Sequence, residues 1–79
     1  MTMSIKVRYF ASLKESIGRS EDILECAGLA TVADVWRRAN PNKTLPDNGL
    51  AAVNMDYVEL SNAVKDGDEV AFFPPVTGG

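Results

Sequence analysis

Asp66-Gly67-Asp68-Glu69-Val70-Ala71-Phe72-Phe73-Pro74-Pro75-Val76-Thr77-Gly78-Gly79 reads as a turn, a strand, a stop and a tail in immediate succession. Asp-Gly is turn chemistry, since aspartate bonds its own backbone and glycine accepts positive φ. Glu69–Phe73 has the two-residue period of a strand, with Val70 and Phe72 on one face and Phe73 on the other. Pro74 and Pro75 end that strand, because neither can donate to a ladder. They also stiffen the chain and project the residues after them away from the sheet. The expected division is a folded domain over residues 1–75 and a flexible Gly-Gly tail over residues 76–79.

Outward from this strand, the rest of the chain supplies a sheet and a helix to receive it. Ile5-Lys6-Val7-Arg8-Tyr9-Phe10 alternates apolar and basic residues, so Ile5, Val7 and Tyr9 share a face. Leu13 and Ile17 stand four apart before Gly18, which suits a short helix with a glycine C-cap. Asp22–Cys26 reads as a second strand in hairpin with the first. Thr31 is a suitable N-cap, with Asp34 three residues on as a weaker form of the capping box. Val32, Val35, Trp36 and Ala39 fall on one side of the next helix. Arg37 and Arg38 lie near its C-terminal end, where the helix dipole favours cations. Asn40-Pro41 stops the helix, and Pro41–Gly49 is loop. Leu50–Asn54 and Tyr57–Leu60 read as two strands around a tight Asn54–Asp56 turn. The order β-β-α-β-β-β predicts an α+β domain, one sheet packed on one main helix with a short helix after the first strand.

Composition narrows the function. Seventy-nine residues make one domain, and 46% hydrophobic content supports a folded core. One cysteine cannot form an internal disulfide, and no apolar run is long enough for a signal peptide or a bilayer span. These features predict a soluble cytoplasmic protein with no membrane association. A net charge of −3 disfavours nucleic acid as a partner. Histidine is absent, which removes the commonest general base and the usual nucleophile pairs. With one cysteine besides, no metal site is expected.

Most candidate sites read better as structure. Cys26 has no adjacent base and reads as a small buried hydrophobe rather than a reactive thiol. Asp66–Glu69 lacks the ligand spacing of a calcium loop and reads as a turn. Trp36 reads as core, and Arg37 and Arg38 as a solvated helix end. Strand phase leaves Phe10, Tyr57 and Phe73 pointing away from the helix. They are candidates for an exposed apolar patch of the kind that marks a protein interface. Strand ends that twist or bulge would instead put one or two of them at the rim of the core.

The tail is the remaining candidate. From Pro74 to Gly79 it reaches at most about 20 Å. Gly78 and Gly79 lack a Cβ, so this end can thread a channel too narrow for other residues. Its sole reactive group is the α-carboxylate of Gly79, which becomes useful only when another enzyme activates it, for example as an acyl adenylate.

Over essentially its whole length the chain resembles the small subunits of molybdopterin synthase, among the ubiquitin-like β-grasp sulfur carriers. The matching segments are I-K-V-R-Y-F-A, E-S-I-G, G-L-A-A-V-N and, most specifically, D-G-D-E-V-A-F-F-P-P-V-T-G-G. The resemblance implies a β-grasp fold, one mixed sheet of about five strands. It implies that an ATP-dependent activating enzyme adenylates Gly79 and that a sulfur donor protein converts the adenylate to a thiocarboxylate. The tail, Val76, Thr77 and Gly78, then threads into a large subunit, and the sulfur passes to a cyclic pyranopterin precursor of the molybdenum cofactor. Phe73, Phe10, Tyr57, Pro74 and Pro75 are the expected partner interface, in a heterotetramer whose catalytic side chains lie on the large subunit. No cofactor is expected on this chain, ATP being used by the activating enzyme. The alternatives are a sulfur carrier for thiamine or another pathway, a ubiquitin-like protein modifier, and a plain interaction domain with an idle tail.

Overall fold

The computed structural model describes residues 4–25, 27–45 and 49–74. Cys26, Pro75, Val76, Thr77, Gly78 and Gly79 therefore lie outside the described residues, and with them the expected tail boundary. The elements are β1 (Ser4–Tyr9), α1 (Ala11–Ile17), β2 (Glu21–Glu25), α2 (Val32–Ala39), β3 (Leu50–Val53), β4 (Asp56–Val58) and β5 (Glu69–Phe73). All five strands join one sheet in the order β2-β1-β5-β3-β4. β1 and β5 run parallel at its centre, with Tyr9 beside Phe72, and the other pairs are antiparallel. This mixed sheet with its crossing helix is the β-grasp arrangement that the resemblance implies.

Strand periodicity sets the core. Ile5, Val7 and Tyr9 of β1 and Val70 and Phe72 of β5 are buried on one face, while Lys6 and Arg8 stay exposed. α2 covers that face with Val32, Val35 and Trp36, and α1 adds Leu13. The Phe72 ring meets Trp36 edge-on at 5.0 Å and lies 6.2 Å from Tyr9. Burying one such aromatic contributes roughly 1.5–3 kcal/mol. The Tyr9 hydroxyl donates to Asp22 Oδ2 at 3.0 Å and accepts from Asn40 Nδ2 at 3.0 Å, so both buried polar groups have partners. Burial pushes the Tyr9 phenol above its ordinary pKa, with Asn40 pulling the other way and Asp22 adding to the rise.

Two local features differ from the sequence reading. The capping box of α2 is complete rather than weak. Thr31 Oγ1 accepts from the Asp34 N–H at 3.3 Å, and Asp34 Oδ2 accepts from the N–H groups of Thr31 and Ala30, both at 3.1 Å. The fourth strand stops at Val58 and does not continue to Leu60. The chain turns there, with the Asn62 N–H donating to Glu59 O, so that carbonyls of the loop can meet α2. Leu60 O accepts from the Ala33 N–H and Asn62 O from the Val32 N–H, both at 3.0 Å. Residues with the pattern of a strand thus satisfy donors that the first turn of a helix leaves open.

The Ala30 and Thr31 N–H groups hold the Asp34 carboxyl below its usual range. A lowered carboxylate pKa contributes stability above the unfolded value and loses it as pH falls through the folded value. Asp34→Asn is therefore expected to lower the urea midpoint at neutral pH, with the difference from wild type shrinking in acid. Thr31→Ala, which removes the reciprocal cap, is expected to cost about 1 kcal/mol in the same measurement.

Candidate functional site

The face of the sheet opposite α2 is built from the alternate strand positions. Arg8 pairs with Ala71, Ala71 with Ala52, and Ala52 with Tyr57, so these four residues form a row across four strands. Beyond them, the Phe10 N–H donates to Phe72 O at 3.2 Å and carries the parallel pairing past the end of β1. That places the Phe10 ring against Phe73, stacked with centroids 4.8 Å apart and planes within 7°. Tyr57 tilts against Phe73 at 5.8 Å, and the Arg8 guanidinium lies 5.4 Å from the Phe10 ring centre. The aromatics singled out by strand phase are therefore one cluster.

Between these side chains runs a groove of about 310 Å³ lined by Arg8, Phe10, Ala52, Met55, Tyr57, Glu69, Ala71 and Phe73. Two alanines floor it, which is why it is concave. Ala52 is buried although it lies on the side away from the core cluster, because the groove walls cover it. Tyr57 keeps 72% of its surface exposed and Met55 keeps 89%. Exposed apolar surface gathered in this way is typical of protein interfaces.

The hairpin that carries Met55 is tightly held. Val53 pairs with Asp56, and the two residues between them both adopt left-handed backbone, Asn54 at φ 51° and Met55 at φ 75°. This is a type I′ connection, whose twist suits a two-residue hairpin. Asn54 fastens it to β5: its N–H donates to Glu69 O at 2.8 Å, and its Oδ1 accepts from the Glu69 N–H at 3.0 Å. Asn54 Nδ2 donates to Asp68 Oδ1 at 2.9 Å, and the Lys65 N–H donates to Asp68 Oδ2 at 2.9 Å. Asp68 is buried by these contacts. The acidic run at Asp66–Glu69 is accordingly a structural turn. Gly67 takes φ 88° there, and its N–H donates to Ser4 O at 2.9 Å. Among the described residues, no group of three or more histidine, cysteine, aspartate or glutamate side chains could hold a metal ion.

The structure brings together Phe10, Tyr57 and Phe73, with Pro74 half-buried directly after β5. Pro75, Val76, Thr77, Gly78 and Gly79, the remaining sequence candidates, lie outside the described residues. Sequence reasoning missed Met55, Arg8 and the alanine floor. Strand alternation does signal Arg8 and Ala71, which share a phase with Phe10 and Phe73. Met55 has no such signal, because only the hairpin register turns it toward the groove. The assembled side chains can bind an apolar surface; they contain no nucleophile with an adjacent base. No helix among the described residues is long and apolar enough to cross a membrane.

Comparison with known proteins agrees with this geometry. The ThiS family matches residues 7–79. The molybdopterin synthase sulfur carrier subunit of Escherichia coli (strain K12) is 41% identical over 86 residues, covering 95% of this chain and 99% of that protein. Among solved structures, small archaeal modifier protein 1 of Haloferax volcanii superposes with a TM-score of 0.75 at 29% identity, covering 94% of this chain and 99% of that one. A chain from the complex of subunits 1 and 2 of the molybdopterin-converting factor of Helicobacter pylori shares the fold, with a TM-score of 0.65 at 23% identity over 98% of this chain and all of that one.

Proposed function

Because the chain belongs to the ThiS family, we propose that it is the sulfur carrier subunit of a molybdopterin synthase and that Gly79 is the residue that carries the sulfur. In this reading an ATP-dependent activating enzyme adenylates the Gly79 carboxylate, and a sulfur donor protein displaces the adenylate to leave a thiocarboxylate. The large subunit receives the terminal segment, and the sulfur is passed to a cyclic pyranopterin precursor. This chain supplies the carrier and the docking face; the large subunit supplies the catalytic side chains, consistent with a chain that has no histidine.

One observation carries the docking part of the reading. β5 presents Phe73 on the aromatic face and then passes through Pro74 toward the terminal glycines. In this reading the partner that takes up the terminal segment lies against the same face, which joins recognition to transfer. The likeness to the E. coli sulfur carrier subunit supports the choice of partner and pathway.

The test is to incubate the protein with its activating enzyme, ATP and a sulfur donor, then weigh it intact. A mass gain matching one oxygen replaced by sulfur is expected, and no gain would overturn the carrier reading. The thiocarboxylated protein, given the large subunit and the pyranopterin precursor, should then yield the dithiolene product. The likeness to an archaeal modifier protein supports a second reading, in which Gly79 forms isopeptide bonds. Covalent conjugates on other proteins in place of the dithiolene product would favour it.

A further inference from the structure

Met55 occupies a backbone conformation that its side chain disfavours. A type I′ turn needs positive φ at both central residues, and glycine is the usual choice at the second. Met55 sits there at φ 75°. Left-handed backbone at a residue other than glycine, asparagine or aspartate is a strained state, and it persists only where the surroundings over-determine it. Here they do: Asn54 is fixed through its own N–H and both side-chain polar atoms to Glu69 and Asp68. The turn would form with glycine at position 55 and no strain. Methionine adds to the fold only a long apolar side chain that remains 89% exposed, more than Ile23, Tyr57 or Leu60.

That side chain lines the groove with Ala52, Tyr57 and Phe73. The groove floor is two alanine methyl groups, so the groove has room for a protruding apolar side chain from outside. Met55 stands at the Glu69 end of β5 and Phe73 at its far end, and both line this one groove across the alanine floor, so a partner docked on Phe73 with a side chain in the groove also meets Met55. An unbranched thioether adapts its shape to such a contact better than a branched or aromatic side chain.

We infer that Met55 is an anchor for the large subunit, held at the hairpin tip to clamp an apolar side chain of that partner against Phe73 and Tyr57. This inference rests on the reading of the sheet face as the large-subunit interface. It goes beyond that reading by assigning affinity to a residue outside the aromatic cluster and by making its strained backbone a cost in folding stability that is kept for the sake of binding.

The experiment measures affinity for the large subunit and the urea midpoint for Met55→Gly, Met55→Gln and Phe73→Ala. Met55→Gly is expected to unfold no earlier than wild type and to bind about tenfold more weakly. Met55→Gln keeps the length of the side chain and the backbone strain but is polar; it should bind weakly too, with an unchanged midpoint. Wild-type binding by both Met55 variants with weak binding by Phe73→Ala overturns this inference alone. Wild-type binding by all three overturns the interface reading along with it.

Discussion

Deleting Gly79 is expected to abolish sulfur transfer while leaving the unfolding midpoint where it is. Among the described residues, the cluster that holds the sheet to α2 ends at Phe72. Glycine has no side chain, so removing Gly79 takes no apolar side chain from the domain. The truncated chain still ends in a glycine carboxylate, so it can still be offered to the activating enzyme. Its reactive atom, however, is set back by one residue, about 3.3–3.6 Å along an extended chain. A misplacement of about 1 Å from a reactive geometry can cost on the order of a hundredfold in rate, so the loss in transfer should be at least that large. Dithiolene formation is the readout, with thermal unfolding as the control. Transfer at the wild-type rate would remove Gly79 from its role. A large fall in the midpoint would instead show that the end of the chain is structural.

Phe72→Ala and Phe73→Ala, one residue apart, are expected to fail in opposite ways. Phe72 is fully buried between Tyr9 and Trp36. Truncating a buried phenylalanine costs about 3–5 kcal/mol, a large share of the roughly 5–15 kcal/mol by which domains are stable. This variant should be substantially destabilised in urea, and any loss of binding should result from unfolding. Phe73 touches Phe10 and Tyr57 on the open face. Its truncation should move the midpoint little and weaken the large-subunit complex by about tenfold or more. Calorimetric titration of folded protein, together with urea curves, separates the two. Equal destabilisation by both variants would place Phe73 in the core and remove the patch.

The fold is legible in the sequence because its signals are local and agree with one another. Alternation in β1 and β5, the helical spacing of Val32, Val35 and Trp36, and the proline stop after Phe73 each correspond to one element. Phase alone also sorts Phe72 inward and Phe73 outward, since a strand offers only two faces. The features that escape such a reading depend on partners distant in sequence. The stretch Tyr57–Leu60 has the pattern of one strand, yet the Leu60 carbonyl is committed to α2, far earlier in the chain. The groove needs the register of four strands before Arg8, Ala71, Ala52 and Tyr57 become one row. Met55 is illegible for a related reason. A methionine in a turn carries no periodicity, and its positive φ is imposed by Asn54 and Asp68.

The parallel pairing of β1 with β5 has a consequence for the protein's synthesis. The two central strands come from opposite ends of the chain: Lys6 pairs with Glu69 and Tyr9 with Phe72. A nascent chain that has not yet emerged past Phe73 lacks the strand that joins β1–β2 to β3–β4, and its two hairpins are only marginally stable apart. Folding therefore waits for β5 to leave the ribosome. A product cut short before β5 has no assembled sheet and is left to the proteases that remove unfolded chains. The sheet is thus assembled only in chains that already carry β5, so synthesis that stops short of Glu69–Phe73 leaves no folded fragment to occupy a binding partner.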